Sequence, residues 1–182
     1  MDIFLVRHGA ASATWEEHPD PGLSSRGLEE AQNLKSGLSP YLDGSVRLLS
    51  SPLARARETA SPLALKLNQK VDVAESISEV PSPVDLIHRK KWLQEFMKQK
   101  WQDQNDDVLV WRSRAIRFVK SLSSPSVLFT HFLLINAIVG EIVKVDRTLY
   151  FWPENCSITH IRSNGVSLEL VSLGDQMHSV VN

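Results

Sequence analysis

Apolar residues along this chain form short continuous runs that alternate with stretches in which they recur at helical spacing. Residues 3–6, four apolar side chains in a row, are typical of a strand buried on both faces of a parallel sheet. Further strands are predicted over residues 46–50, 71–74, 126–130, 157–161 and 167–171, the last two as a hairpin. The alternation of strands with helices predicts an α/β fold, a three-layer α/β/α sandwich with a mainly parallel central sheet.

The predicted helices begin at residues suited to caps and first turns. Ser24 precedes the first helix, and Pro52 suits the first turn of the second. In the second helix, Arg55 and Thr59 are four residues apart and share a face, whereas Arg57 points elsewhere. The apolar stripe of the first helix consists of Leu28, Ala31, Leu34 and Leu38.

Composition is ordinary for a globular protein and excludes some functions. The chain has 182 residues, 42% of them hydrophobic and 23% charged, so we expect one domain over residues 1–182 with a proper core. The 20 Lys and Arg residues against 21 acidic ones leave a net charge of −1. This balance gives no electrostatic footprint for nucleic acid and no polybasic membrane anchor.

The cysteine count and the length of the apolar runs indicate in which cellular compartment the protein is expected. Cys156 is the only cysteine, which excludes an intrachain disulfide and a cysteine metal cluster. No apolar run is long enough to span a bilayer, and the first one stops at Val6 without a preceding basic residue, unlike a secretory signal. We therefore expect a cytoplasmic protein.

Side chains suited to catalysis or ligand binding follow the carboxyl ends of the predicted strands. They are Arg7-His8, Arg55, Glu79 and His131. Because the carboxyl ends of parallel strands share one edge of a sheet, we expect these residues to converge there. Arginine suits a bidentate grip on phosphate, and histidine suits nucleophilic attack or proton transfer.

The same residues lie in a series of motifs along the chain. In order, these are Arg7-His8-Gly9, Leu23-Ser24 with Gly27 and Ala31, Ser51-Pro52-Leu53-Ala54-Arg55-Ala56 with Thr59, and Thr130-His131. The set resembles the histidine phosphatase superfamily, the phosphoglycerate mutase-like group of phosphatases and mutases. The resemblance implies that His8 is the nucleophile, that Arg7, Arg55 and His131 surround the phosphate, and that Glu79 is the general acid.

The segment after Glu79 departs from the pattern of this superfamily. Many members continue with Gly-x-Trp-Glu-Gly, whereas this chain continues with Val-Pro-Ser-Pro, so Glu75 and Asp85 remain alternatives for the general acid. We expect residues 80–107 to form a cap or lid over the site and hypothesise that they select substrates through Arg89, Lys90 or Lys91. The ordinary explanation for such a charge run is a solvated helix face.

Two further departures concern the pocket walls. Phe132 follows His131 where glycine is usual, which should narrow that side of the pocket. Thr14 stands six residues after the nucleophile, where asparagine is common, and Trp15 is next to it in the same loop. We take Thr14 and Trp15 as candidate substrate-binding residues.

The implied chemistry is phosphoryl transfer without a metal or a cofactor. A phosphate monoester carries about two negative charges near neutral pH, which two guanidinium groups and an imidazolium would neutralise. Neutral His8 would attack phosphorus, and Glu79 would protonate the leaving oxygen and then activate water. The prediction is a phosphomonoesterase that acts on a phosphorylated small molecule through a phosphohistidine. The alternatives are a mutase, a phosphatase of phosphohistidine or other phosphoproteins, and a non-catalytic phosphate-binding module.

Overall fold

The first strand, β1 (Asp2–Arg7), is covered on both faces, as its continuous apolar run predicts. Ile3 and Leu5 point into one core cluster, and Phe4 and Val6 point into another. Each of these four side chains is at most 1% exposed. This strand therefore lies between two layers of apolar side chains.

The computed structural model describes residues 1–14, 17–38, 42 and 46–177. The strands after β1 are β2 (Arg47–Ser50), β3 (Val71–Val73), β4 (Ser126–Thr130), β5 (Ile158–Ser163) and β6 (Leu168–Ser172). The helices are α1 (Ser25–Asn33), α2 (Lys35–Leu38), α3 (Ala54–Leu67), α4 (Leu86–Phe96), α5 (Asp106–Ser121) and α6 (Phe132–Val143). Short 3₁₀ turns occur at Glu75–Ile77 and Trp101–Asp103.

The described strands form one sheet in the order β3-β2-β4-β1-β5-β6. Strands β3, β2, β4 and β1 run parallel, whereas β5 and β6 are antiparallel to their neighbours. Arg7 on β1 is opposite Thr130 on β4, and Ser50 on β2 is opposite Phe129 on β4. The carboxyl ends of these three neighbouring strands therefore lie side by side at one edge.

Helices cover the sheet on both sides, which confirms the predicted three-layer α/β/α sandwich. On one side, α2 and α3 contribute Leu38, Ala60 and Leu63 to the cluster that contains Phe4 and Val6. On the other side, α4, α5 and α6 pack over Ile3 and Leu5; they contribute, among others, Leu93, Phe96, Val108, Trp111, Leu134 and Ile138. The helical layers thus bury both faces of the parallel strands, as such sheets require.

The predicted apolar stripe of the first helix is wrong at one position. Leu28 is 45% exposed, and the buried face of this region consists of Gly27, Ala31 and Leu34. Gly27 lies against the backbone of Ala10, an approach that a larger residue could not make. The close contact turns this face towards the loop after β1 and leaves Leu28 on the outer side.

Residues 80–107, expected as a cap or lid, are attached to the core. The cluster that α5 and α6 line also buries Val80, Leu93, Phe96 and Trp101.

In the described part of the chain, no helix has both the length and the apolar character needed to cross a membrane.

Candidate active site

The predicted strand-end residues gather at the edge where β1, β2 and β4 end. The His8 amide donates a hydrogen bond to the Thr130 carbonyl at 3.0 Å, and the Ser51 amide donates to the Phe129 carbonyl at 3.0 Å. His8 and His131 follow β1 and β4 directly, and the centroids of their rings are 5.2 Å apart. The register of the parallel strands thus brings together two histidines that are far apart in sequence.

His8 is 7% exposed and has a defined tautomer. Its Nδ1 lies 2.7 Å from the Gly9 carbonyl oxygen, which can only accept a hydrogen bond, so Nδ1 carries the proton. Nε2 accepts a hydrogen bond from Nε of Arg55 at 3.1 Å. Burial, together with the charges of Arg55 and Arg7, lowers the pKa of His8 to about 3. His8 is therefore neutral, with its lone pair on Nε2.

Helix α3 brings Arg55 to this lone pair. Arg55 is 4% exposed in the first turn of the helix, whereas Arg57 is exposed, as their spacing predicts. The Arg55 Nη1 is 3.7 Å from Asp20 Oδ1, and this carboxylate also accepts a hydrogen bond from the Ala54 amide at 2.9 Å. Burial lowers the pKa of the Arg55 guanidinium, and the nearby charge of Arg89 acts in the same direction.

Thr59, one turn further along α3, connects Arg55 to the loop of His8. Its hydroxyl accepts a hydrogen bond from the Gly9 amide at 3.0 Å and donates one to the Arg55 carbonyl at 2.6 Å. Thr59 is fully buried, so water does not compete for either bond. A single hydroxyl therefore fixes the loop after β1 against the helix that carries the guanidinium.

Arg7 is held on the other side of β1 by backbone and aromatic contacts. Its Nη1 donates a hydrogen bond to the Pro153 carbonyl at 2.7 Å, and its Cζ is 5.2 Å from the centroid of the Phe132 ring. Burial lowers the pKa of Arg7 to about 10, with Glu79 opposing that shift. Arg7 remains a cation at neutral pH, and Phe132, expected to narrow the pocket, lies against its guanidinium.

His131 is fully buried next to Ser51. Its Nε2 is 2.7 Å from the Ser51 hydroxyl, and its Nδ1 is buried with no hydrogen-bond partner among the described residues. Burial, His8 and Arg55 hold the pKa of His131 well below its usual value. The free protein therefore favours a neutral ring at this position, where the implied chemistry called for an imidazolium.

Glu79 is half-buried between the sheet edge and α6. Its Oε1 accepts a hydrogen bond from the Val80 amide at 3.0 Å, and its Oε2 accepts one from the Leu133 amide, in the first turn of α6, at 3.3 Å. Burial raises the pKa of the Glu79 carboxyl, although these amides and the charge of Arg55 oppose the shift. The alternatives Glu75 and Asp85 are both exposed.

The segment before Glu79 is fixed from two directions. The Thr130 hydroxyl at the end of β4 donates to the Ile77 carbonyl at 2.7 Å. Nε1 of Trp111, on α5, donates to the Ser78 carbonyl at 3.0 Å. Glu79 thus enters the site from a short stretch anchored to the strand that precedes His131.

The two remaining candidates lie in the loop after His8. Thr14 is exposed, and its amide and hydroxyl both donate to Oε2 of Glu17, at 2.8 and 2.9 Å. Trp15 lies outside the described residues. Their roles in substrate binding stay predictions.

Comparison with known families identifies the superfamily of the chain. A family model of the histidine phosphatase superfamily (branch 1) matches residues 3–176. The chain belongs to this superfamily. The match confirms the resemblance drawn from the motifs and, with it, the class of enzyme, a histidine phosphatase. No curated protein matches the sequence significantly.

Solved structures share the fold of this histidine phosphatase. A phosphoserine phosphatase from Entamoeba histolytica, in complex with 3-phosphoglyceric acid, has a TM-score of 0.75 and 20% identity, over 97% of this chain and 98% of its own. A mycobacterial glucosyl-3-phosphoglycerate phosphatase, in complex with VO3, has a TM-score of 0.73 and 18% identity, over 97% and 99% of the two chains. These structures confirm the α/β architecture.

Some residues that shape the site of this histidine phosphatase receive no role from the sequence alone. Ser51 and Thr59 lie in the second motif, but only the structure gives their partners, His131 and Gly9. Gly9 and Gly27 pack backbone against backbone, since a Cβ on Gly9 would come within 2.6 Å of the Gly27 oxygen. Glycine in both motifs is the signal that could have predicted this close approach.

The described side chains of the histidine phosphatase form no cluster suited to a metal. Over residues 1–14, 17–38, 42 and 46–177, no three His, Cys, Asp or Glu side chains group closely enough to hold a metal ion. The positive charge next to His8 comes from Arg7 and Arg55.

Proposed function

We propose that this histidine phosphatase is a phosphomonoesterase that works without a metal, through a phosphohistidine on His8. The observation that carries the proposal is the neutral His8 ring, whose Nε2 lone pair faces the Arg55 guanidinium while Gly9 holds Nδ1–H. A phosphate bound by that guanidinium would meet a nucleophile that needs no deprotonation.

In the first step, Nε2 of His8 attacks phosphorus, and a P–N bond forms as the bond to the leaving oxygen breaks. Glu79 gives its proton to that oxygen, and the raised pKa of its carboxyl supports this role because it favours the protonated form. Nδ1–H keeps its hydrogen bond to the Gly9 carbonyl, which stabilises the positive charge that the ring acquires.

In the second step, water attacks the phosphohistidine while the Glu79 carboxylate takes its proton. The P–N bond breaks, inorganic phosphate leaves, and His8 and Glu79 return to their initial protonation states. The Arg7 and Arg55 guanidiniums and the unpartnered Nδ1 of His131 would donate to the phosphoryl oxygens in both steps. Such preorganised donors stabilise the charge of the transition state.

We further propose a phosphorylated small molecule as the substrate and residues 80–107 as a cap over it, within a single domain. Two structural neighbours are complexes of a phosphoserine phosphatase with 3-phosphoglyceric acid and with phosphoserine, and this supports the substrate class. Thr14 and Trp15 stay candidates for contacts with the group that bears the phosphate.

The test is hydrolysis of p-nitrophenyl phosphate in excess chelator. We expect wild-type activity to survive chelation and His8→Ala to lose about 10⁴-fold or more in kcat. Rapid mixing followed by an alkaline quench should trap a phosphoryl group on His8, detected by mass spectrometry. Phosphate binding without release of nitrophenol would contradict the proposal in favour of a non-catalytic module.

A second assay separates hydrolysis from mutase-type transfer. A mutase would depend on a bisphosphorylated primer and would return an isomerised phosphate ester, whereas the proposed enzyme releases inorganic phosphate without a primer. Measuring phosphate release and ester isomers with and without the primer distinguishes the two. Primer-dependent isomerisation would overturn the assignment as a hydrolase.

A further inference from the structure

Helix α4 places one arginine of its basic run on its buried face. Arg89, Leu93 and Phe96 are separated by four and three residues and therefore share one side of the helix. Leu93 and Phe96 are at most 2% exposed and belong to the cluster that contains Ile77 and Val80. Those two residues lie close to Glu79 in sequence, so the face of α4 that carries Arg89 lies in the same core cluster as the segment of the general acid.

Arg89 faces the candidate site without a partner of its own. It is half-buried, its Nε is buried with no hydrogen bond, and no ion pair joins it to another residue in the described part of the chain. Its charge nevertheless acts on Glu79, Arg55 and His131. A buried N–H group without an acceptor costs free energy, so an anion bound at Arg89 Nε would remove that cost.

The other two arginines of the site are differently placed. Arg7 donates to the Pro153 carbonyl, and Arg55 donates to His8 and lies near Asp20. Both belong to the edge of the sheet, where the phosphoryl group would sit against His8. Arg89 instead belongs to α4, outside this edge. The general acid must contact the leaving oxygen. Arg89, whose charge acts on Glu79 and which takes no part in the hydrogen bonds of the edge, is therefore free to meet the group beyond that oxygen.

We propose that Arg89 is a specificity-determining residue that binds a second anionic group, a carboxylate or a second phosphate, in the leaving group of the substrate. The proposal rests on the proposed function, because it uses His8 and Glu79 to define the two ends of the bound ester. It also selects one residue from the basic run of Arg89, Lys90 and Lys91.

The neighbouring lysines supply a matched control. Lys91 is exposed and lies two positions after Arg89, which turns it to the opposite side of the helix. Lys90 is exposed, and its charge helps to lower the pKa of Glu17, in the loop after His8. Lys91→Gln therefore removes one positive charge from the same helix without touching the inner face.

The experiment compares substrates that differ only in the second anion. The first pair is 3-phosphoglycerate and glycerol 3-phosphate, which differ by a carboxylate in place of a hydroxymethyl group. The second pair is fructose 1,6-bisphosphate and fructose 6-phosphate, which tests a second phosphate. For each pair, the ratio of the two kcat/KM values is measured in wild type, Arg89→Gln, Arg89→Lys and Lys91→Gln.

We expect wild type to prefer the doubly anionic member of at least one pair, and Arg89→Gln to lower that ratio by about 10- to 100-fold, the usual effect of losing a charged hydrogen bond. Arg89→Lys should restore part of the ratio, and Lys91→Gln should keep the wild-type value. If Arg89→Gln lowers kcat/KM equally for both members of a pair, Arg89 contacts the transferred phosphate and the proposal is overturned. Values of the ratio that do not change in Arg89→Gln would also overturn it.

Failure of this proposal is distinguishable from failure of the proposed function. A wild-type protein that hydrolyses none of the four esters nor p-nitrophenyl phosphate would contradict the proposed function. Calorimetric binding then tests Arg89 alone, with the same pairs as ligands. Tighter binding of the doubly anionic member that is lost in Arg89→Gln supports the role of Arg89, and equal binding of both members in wild type overturns it.

Discussion

The edge of the sheet and helix α4 contribute to the candidate site in different ways. At the edge, His8, Arg55 and His131 are at most 7% exposed and follow directly from strands or from the helix packed on them. On α4, Arg89 is half-buried, and the two lysines after it are exposed. The part assigned to phosphoryl transfer is thus built into the core, whereas the part assigned to substrate choice lies on an outer helix.

This contrast indicates which positions can change without loss of the reaction. A substitution at the edge removes one partner of a buried hydrogen bond. The other partner then stays buried without a hydrogen bond, which lowers the stability of the protein. Arg89 Nε makes no hydrogen bond in the described part of the chain, so a substitution at Arg89 leaves the sheet and its buried bonds in place. Under the proposed role of Arg89, substrate preference can vary through α4 while the edge proposed to bind phosphate stays the same.

The charges of Arg55 at the edge and of Arg89 on α4 both act on Glu79. We expect Glu79→Gln to lower activity more than Arg55→Ala or Thr59→Val. Glutamine keeps an oxygen for the Val80 amide but cannot give a proton to the leaving oxygen. For alkyl phosphates kcat/KM should fall by about 10²–10⁴-fold. The fall should be smaller for p-nitrophenyl phosphate, whose leaving group departs without a proton.

The matched control is Glu75→Gln, because Glu75 is the exposed carboxylate nearest in sequence on the same segment. Its kcat/KM should stay near the wild-type value for both esters. Equal losses for the two esters in Glu79→Gln, or the larger loss in Glu75→Gln, would remove Glu79 as the general acid.

Arg55→Ala tests the edge of the sheet directly. It removes the partner of His8 Nε2 and a proposed phosphate donor, so kcat/KM should fall by about 10²–10³-fold. Arg57→Ala, an exposed arginine on the same helix, is the control and should stay within a few-fold of wild type. A comparable loss in Arg57→Ala would mean that general charge, and not the contact with His8, supports activity.

The contrast between edge and helix also explains how much the sequence predicts. Residues 3–6 and 126–130 predict buried strands because a parallel strand covered on both faces has few polar positions. Once those strands are placed, their carboxyl ends must share an edge, so His8 and His131 can be brought together without coordinates. The motif that follows the predicted strand over residues 46–50 places Arg55 at the same edge.

Other parts of the site depend on contacts that no local pattern encodes. The tautomer of His8 follows from the Gly9 carbonyl, and the position of Thr59 against Gly9 follows from how α3 packs. Leu28 fits a helical stripe yet points outward, because a backbone contact at Gly27 decides the orientation of α1. Among three successive basic residues of α4, only packing of Leu93 and Phe96 distinguishes Arg89.

The pH dependence of kcat/KM distinguishes a buried nucleophile from an exposed one. A histidine with an ordinary pKa near 6.5 would lose about tenfold in activity for each pH unit below that value. Burial lowers the pKa of His8 to about 3, so its neutral form persists and no such loss should occur above about pH 4. Burial raises the pKa of Glu79, so activity should fall as pH rises through that pKa and the carboxyl loses its proton.

The measurement is a pH profile corrected for the second ionisation of the substrate, which lies near pH 6. Glu79→Gln should lack the fall on the alkaline side, and NMR titration of the imidazoles, with His8→Ala used for assignment, should show His8 neutral at pH 5. Protonation of His8 near pH 6.5 would contradict its burial behind the two arginines.

Thr59→Val should have the smallest effect of these variants, and it tests whether the loop of His8 depends on α3. Valine keeps the shape of threonine but leaves the buried Gly9 amide without its acceptor at 3.0 Å. An unsatisfied buried amide costs about 1–3 kcal/mol, so the free energy of unfolding should fall by that amount in denaturant titrations. Thr59→Ser keeps the hydroxyl and loses only a methyl group. If the hydrogen bond positions His8, serine should retain most of the kcat/KM that valine loses; if packing of the methyl group matters instead, valine should be the more active of the two.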